Sequence, residues 1–356
     1  MASTRKQRRM KAGSRLERDK PDVPAQSNFA SVPQELLDEI VSHFEPSLPL
    51  HYNCDNQWPR PPDLQHASRE TSLRALSQTC QALRRMTLPH LWKRIDTCWV
   101  PEDERGHWYK YVMQEVKRKA SGVCRAPEEL RSYVRTVSFM FTRSDTALAL
   151  RAAHKLLVCL PALHTIHILN CKVTRELARA LGKVTLPTVR VLILPDGAAP
   201  LVRACPNATY ARCAGGRGDA LIDALVHCRC ERFEGAVQWA GCCKDGLMQR
   251  LVCNAPNLHT LEFRNSRLVF GAFPPAIRDV RGFKALRVLT VTFEHNRLSS
   301  ADTEVVAIAR DTMQNMDIPG ERKLIVKKPV QGYINTHQGE CDVEWSYSVE
   351  TFHHGG

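Results

Sequence analysis

Apolar residues recur along this chain in two rhythms: a helical one before residue 96, and a short strand-like alternation that returns at intervals after residue 131. In "VPQELLDEIVSHF", Leu36, Leu37, Ile40, Val41 and Phe44 fall at helical spacing. Ser31 and Gln34 have the spacing of a capping box, Pro33 lies in the first turn, and Pro46 stops the helix. The stripe is wide, because Leu36–Leu37 and Ile40–Val41 are doubled. One face can pack inward while the next meets a partner.

A second helical stretch is "TSLRALSQTCQALRRMTLPHLWKRI", residues 71 to 95. Leu73, Leu76, Cys80 and Leu83 make one helix face, beside a face of small or adaptable residues at Ala75, Thr79, Ala82 and Met86. Thr87 is expected to cap a further short helix with Pro89 in its first turn, and Leu88, Leu91, Trp92 and Ile95 form its apolar face. Between the two stretches, residues 45 to 72 are rich in Pro, Asn and Asp and read as a loop insert. Loop closure cost rises slowly with length, so such an insert is compatible with folding.

The strand-like rhythm has a template: a Pro or polar residue, then apolar residues at +2, +5 and +7. It starts at Ser132, Pro161, Pro187, Pro206, Cys228, Pro256 and Lys284, at spacings of 29, 26, 19, 22, 28 and 28 residues; the copy at Cys228, "CRCERFEG", is poor. Alternation at +5 and +7 suits a strand with one buried face. Helical candidates such as "DTALALRAAHKLLVCL" and "TRELARALGKV" lie between the copies. One such unit cannot bury its own apolar face, so neighbours must stack in a parallel ladder. Positions +4 and +6 then face outward, and Arg135, His167, Arg190, Arg212 and Arg232 are read as a cationic wall suited to an acidic or phosphorylated partner. At the C-terminal end, Val343, Trp345, Tyr347 and Val349 alternate as a strand that covers the last repeat or joins a binding surface.

Three elements agree in order and chemistry. "VPQELLDEI", "LSQTCQALR" (an L-x-x-x-C-x-x-L-R helix) and "PHLW" together resemble the F-box, in the form common in fungal F-box proteins, and the following copies resemble the degenerate leucine-rich repeats that accompany it. The resemblance implies a three-helix module docked on an Skp-family adaptor and, through it, a cullin, with the repeats holding a protein substrate for ubiquitylation. Carried over position by position, it assigns adaptor contact to Val32, Pro33, Leu36, Leu37, Ile40, Leu76, Cys80, Leu83, Leu91 and Trp92. The insert is the departure from the pattern, and it keeps a non-ligase repeat scaffold as the rival reading.

Composition adjusts this picture in three places. The net charge of +13 owes much to the first 20 residues, which carry eight Lys or Arg; they read as a disordered tail, with a nuclear or nucleic-acid-contacting role as the functional alternative. No basic stripe interleaved with aromatics follows, which argues against nucleic acid as the partner. Fourteen cysteines without a secretory signal suggest reduced thiols in the cytoplasm or nucleus, and no apolar run is long enough for a membrane helix. His227, Cys228, Cys230, Cys242, Cys243 and Cys253 lack paired zinc-knuckle spacing and read as core or turn residues, so no metal, cofactor or catalytic group is assigned.

The expectation is therefore α+β overall: a small three-helix F-box and an α/β leucine-rich-repeat-like solenoid. Its divisions are a basic tail (1–28), the F-box (29–97, insert 45–72), a helical linker (98–130), repeats (131–319), capping strands (320–350) and a disordered tail (351–356).

Overall fold

The computed structural model describes residues 32–43, 67–98, 106–216, 218–235, 246–265, 277–293, 297–330 and 345–353. The basic tail, Ser31 of the expected capping box, Phe44, Pro46, most of the insert, Cys242, Cys243, Val343 and residues 354–356 lie outside them.

Three helices come first: α1 (Gln34–His43), α2 (Ala67–Thr79) and α3 (Gln81–Trp92). Leu37 and Val41 of α1 and Leu73 of α2 form a small buried core, with Met86 and Leu91 of α3 packed against it. Two expectations change here. The insert was read to residue 72, but α2 starts at Ala67 and carries Leu73 into that core. The break expected at Thr87 falls at Cys80 instead. Cys80 is extended (φ −152°, ψ 165°), and its Sγ accepts from the Leu83 amide at 3.5 Å, so it caps α3. Thr87 is buried inside α3, where its hydroxyl donates to the Leu83 carbonyl at 2.7 Å. Pro89 removes one helical N–H, and the helix still closes through the Lys93 amide on the Pro89 carbonyl at 2.9 Å.

A single residue, Lys93, joins α3 to β1 (Arg94–Asp96), the first strand of a ten-stranded sheet. The others are β2 (Thr136–Phe141), β3 (Thr165–Cys171), β4 (Val191–Pro195), β5 (Tyr210–Gly215), β6 (Arg232–Gly235), β7 (Thr260–Asn265), β8 (Val288–Phe293), β9 (Glu321–Pro329) and β10 (Trp345–His353). Their order in the sheet is their order in the chain. Pairing is parallel from β1 to β9, and β10 returns antiparallel along the whole of β9.

Each strand start is clipped to the next in the same way. The Lys93 carbonyl accepts the amides of Arg135 and Thr136, and the Arg135 carbonyl those of His164 and Thr165. The pattern continues through the carbonyls of His164, Arg190, Thr209, Glu231 and His259. From Arg135 to Arg287 these are the +3 positions of the seven sequence copies, so the copies share one register. Their +2, +5 and +7 residues are buried throughout, for example Leu163, Ile166 and Ile168, or Leu258, Leu261 and Phe263. In the poor copy, +7 is Gly235, and the reason is steric. It has φ +116°, and a Cβ there would stand 2.2 Å from the Cys213 carbonyl oxygen of β5.

Helical segments connect the strands: α4 (Trp108–Arg125), α5 (Glu128–Tyr133), α6 (Thr146–Val158), α7 (Thr174–Leu181), a 3-10 stretch (Asp196–Ala204), α8 (Asp219–Ala224), α9 (Leu247–Asn254), a 3-10 turn (Val280–Gly282) and α10 (Ser300–Gln314). Apart from α5, which packs against α3, each packs on the next in sequence, giving a second layer. One continuous core fills the space between this layer and the sheet. The expected linker, 98–130, is part of that body: α4 buries Val112, Met113, Val116, Ala120 and Val123 in the core and packs on α6. The strand-bearing region thus begins inside the segment assigned to the F-box. At the far end, β10 runs to His353, so residues 351–353 are strand rather than tail.

Candidate functional site

Two surfaces carry the side chains singled out in the sequence. The first is the outer face of α1. Its apolar stripe divides by helical geometry. Leu37 is 2% exposed and faces α2, whereas Leu36 is 56% and Ile40 45% exposed. The helix is oriented by polar contacts on its other side: the Asp38 carboxylate meets His90 Nε2 at 2.8 Å and accepts from Gln34 Nε2 at 2.7 Å. The Gln34 amide is the main influence that lowers the pKa of Asp38. Pro33 and Cys80 are exposed, and Val32, Leu76, Leu91 and Trp92 are half-buried. Leu83 is buried, and Trp92 packs against the large core under the sheet. So the ten residues assigned to adaptor contact do not form one surface. Leu36, Ile40 and Pro33 are open, Leu37 and Leu91 belong to the small core of the module, Leu83 is buried, and Trp92 packs against the core under the sheet.

The second surface is the strand face away from the core, built from the +4 and +6 positions. Neighbours in register there are Asp96 with Ser138, Ser138 with His167, His167 with Ile193, Ile193 with Arg212, and Arg212 with Glu234. The cationic wall expected here is corrected by the geometry, because its charges are matched. Arg94 Nε donates to Asp96 Oδ1 at 2.8 Å. Glu234, buried, accepts from Tyr210 Oη at 2.6 Å and Arg232 Nε at 2.5 Å, and pairs with Arg212 Nη1 at 3.5 Å. The Arg232 guanidinium also lies over the Tyr210 ring, 5.1 Å from its centroid. One strand further, Glu262 is buried and accepts from the Thr292 hydroxyl at 2.7 Å.

His167 is also buried, and it is not a cation. Burial, with the charges of Arg94 and Arg212 acting the same way and Asp96 opposing, pushes its pKa down to about 3. Its Nε2 and the neighbouring Ser138 hydroxyl are buried without a hydrogen-bond partner. Asp, Ser and His side by side invite comparison with a hydrolytic triad. Here the serine stands between the other two, Asp96 is engaged by Arg94, and no bond joins Ser138 to His167. Arg135 and Arg190 lie off this face, at strand starts. They are exposed, and their guanidiniums donate to the Ala162 and Asn207 carbonyls of the next unit at 3.2 and 3.0 Å.

Tyr210, Glu234, Glu262, Arg94 and Asp96 were not singled out from the sequence. Their one sequence signal is position: Tyr210, Glu234 and Glu262 fall at +4 or +6 of the template. On β10, Tyr347 and Val349 extend the same face and are exposed, with Lys327 of β9 5.8 Å from the Tyr347 ring centroid.

Within the cysteine-rich segment, His227 Nε2 accepts from Arg203 Nε at 3.0 Å. The thiols of Cys228 and Cys230 donate to the Leu225 and Arg232 carbonyls at 3.4 and 3.3 Å. Among the described residues, no group of three or more His, Cys, Asp or Glu is placed to hold a metal ion, and no helix is long and apolar enough to cross a membrane. No protein-family model and no curated protein matches this sequence.

Proposed function

We propose that the chain is the substrate-recognition subunit of an SCF-type cullin–RING ubiquitin ligase. In this reading α1 to α3 are an F-box that docks an Skp-family adaptor. The strand ladder is a leucine-rich-repeat-like solenoid that holds a protein substrate on its outer strand face. The observation that carries the reading is the division of α1: Leu36 and Ile40, one turn apart, stand in water although their neighbours Leu37 and Val41 already complete the small core. Apolar side chains beyond what a core requires are stabilised when a partner removes them from water, by about 1.5–3 kcal/mol for each fully buried residue. The motif resemblance supports the identity of that partner.

In such a ligase the chain supplies no reacting group. It raises the concentration of a substrate lysine near the ubiquitin-carrying enzyme. The matched charges at Arg94–Asp96 and Arg212–Arg232–Glu234 favour a substrate segment that carries both signs over a purely acidic or phosphorylated one.

The test is co-expression of the full chain with an Skp-type adaptor, followed by size-exclusion chromatography. A one-to-one complex is the expected result. A folded chain that never co-elutes overturns the reading in favour of a scaffold outside the ligase.

A further inference from the structure

Ten cysteines fall among the described residues, all as thiols. Half of them are poorly placed for chemistry. Cys98, Cys171, Cys205, Cys213 and Cys230 are buried, and burial pushes Cys171 up to about 11 and Cys205 to about 12. One pair differs. Cys124 lies in the last turn of α4, and Cys159 caps the C-terminus of α6. Their sulfurs are 3.4 Å apart, and both residues are half-buried.

The surroundings hold the pair in position. Arg131 of α5 donates from Nη1 to the Cys159 carbonyl at 3.3 Å, and its Nε is buried without a partner. The Cys159 thiol has the Leu156 carbonyl at 3.2 Å as an acceptor. Burial and the second sulfur raise the pKa of Cys159 to about 11, against the opposing charge of Arg131. With its thiol engaged on the Leu156 carbonyl, Cys159 is the resolving partner and Cys124 the first nucleophile. A disulfide needs an S–S distance of about 2.05 Å, so an approach of roughly 1.4 Å completes the bond.

We infer that Cys124 and Cys159 form a reversible dithiol–disulfide site whose oxidant is a small hydroperoxide. The Cys124 thiolate attacks one peroxide oxygen. The O–O bond breaks, the other oxygen leaves with a proton as water or an alcohol, and Cys124 becomes a sulfenic acid. Cys159 then attacks that sulfur. An S–S bond forms, the S–O bond breaks, and the hydroxyl leaves with the Cys159 proton as water. The two thiols lose two electrons and the peroxide gains them. The bond ties the ends of α4 and α6 together beside α5, which packs on α3. Oxidation thus locks together the C-terminal ends of two helices that already pack on each other, and this inference stands apart from the ligase reading.

The test uses the full chain treated with a small excess of hydrogen peroxide. Remaining thiols are then alkylated without reduction, and the tryptic peptides are mapped. Cleavage gives one peptide of residues 120–125 and another of residues 156–172, the latter holding both Cys159 and Cys171. The expected product joins these peptides, is about 2 Da lighter than their sum, and separates on reduction. Fragment sequencing must place the link on Cys159. The variant C159S should leave Cys124 as a sulfenic acid that dimedone traps. A link through Cys171 overturns the proposal, as does full alkylation of Cys124 and Cys159 while other cysteines oxidise. The map of the unaltered chain decides the matter even if a variant fails to fold.

Discussion

Leu36 and Leu37 adjoin in the chain and part in the fold: Leu37 packs with Leu73 in the core of the three-helix module, while Leu36 stands in solvent beside Ile40. The pair L36D and I40D should therefore leave the chain folded and abolish adaptor binding, because charge at the centre of an apolar interface is desolvated without a partner. A loss of affinity of at least about 100-fold is expected, equivalent to roughly 2.7 kcal/mol. L37D should instead unfold the module. Far-UV circular dichroism and co-elution with the adaptor separate the two effects. Adaptor binding retained in a folded L36D/I40D chain contradicts the interface.

Gly235 is fixed by its neighbour strand. An added Cβ meets the Cys213 backbone rather than a movable side chain, and φ is +116°. G235A should cost roughly 2–4 kcal/mol through backbone strain and displaced packing. As a control, G122A in α4, where a Cβ meets nothing within 4 Å, should be neutral or stabilising. Urea denaturation of the two variants reads the difference.

The strand register was legible because apolar side chains at +2, +5 and +7 have one physical use, and all seven copies bury those they carry, the poor copy having Gly235 at +7. Two further strand starts escaped the template. The one at His90 has Trp92 and Ile95 in place, but Thr97 at +7, and its residues also serve α3. The one at Pro319 has Leu324 and Val326 in place, but Glu321 at +2. The helix break at Cys80 was hidden because the spacing of Leu73, Leu76, Cys80 and Leu83 runs on across it. The charge pairs on the strand face were hidden for another reason. Arg212 and Glu234 are 22 residues apart and meet only through the stacking of two units. A polar residue on a strand reads the same in sequence whether water or a neighbouring strand satisfies it.

Glu234, itself buried, contacts the buried Arg212 as well as Tyr210 and the more exposed Arg232. Removing its charge leaves Arg212 buried without that counter-ion, so E234A should destabilise the chain by about 3–5 kcal/mol. The bidentate pair of Arg310 and Glu350, which joins α10 to β10, is more exposed. E350A should cost only about 0–1 kcal/mol. Thermal unfolding should rank the variants in that order, and equal effects would contradict the burial of the Glu234 network.

His167 predicts how stability responds to acid. Its folded pKa, about 3, lies below the ordinary value of 6.5, so the folded state binds the proton more weakly than the unfolded state. The stability tied to neutral His167 is complete above pH 6.5. It is lost as pH falls through the window from 6.5 towards 3, at up to about 1.4 kcal/mol per pH unit. The charges that act on the ring are those of Arg94, Asp96 and Arg212, and its register neighbours are Ser138 and Ile193. Comparison with a variant that lacks the imidazole isolates its share of the slope from that of the other histidines. H167Q keeps a polar side chain of similar size and removes the titration. Unfolding free energies from urea titrations at pH 7 and pH 5.5 should differ by less in H167Q than in the parent chain, by about 1.3 kcal/mol. An unchanged difference would show that His167 titrates alike in the folded and unfolded chain, and would make it a cation on the strand face at mildly acidic pH.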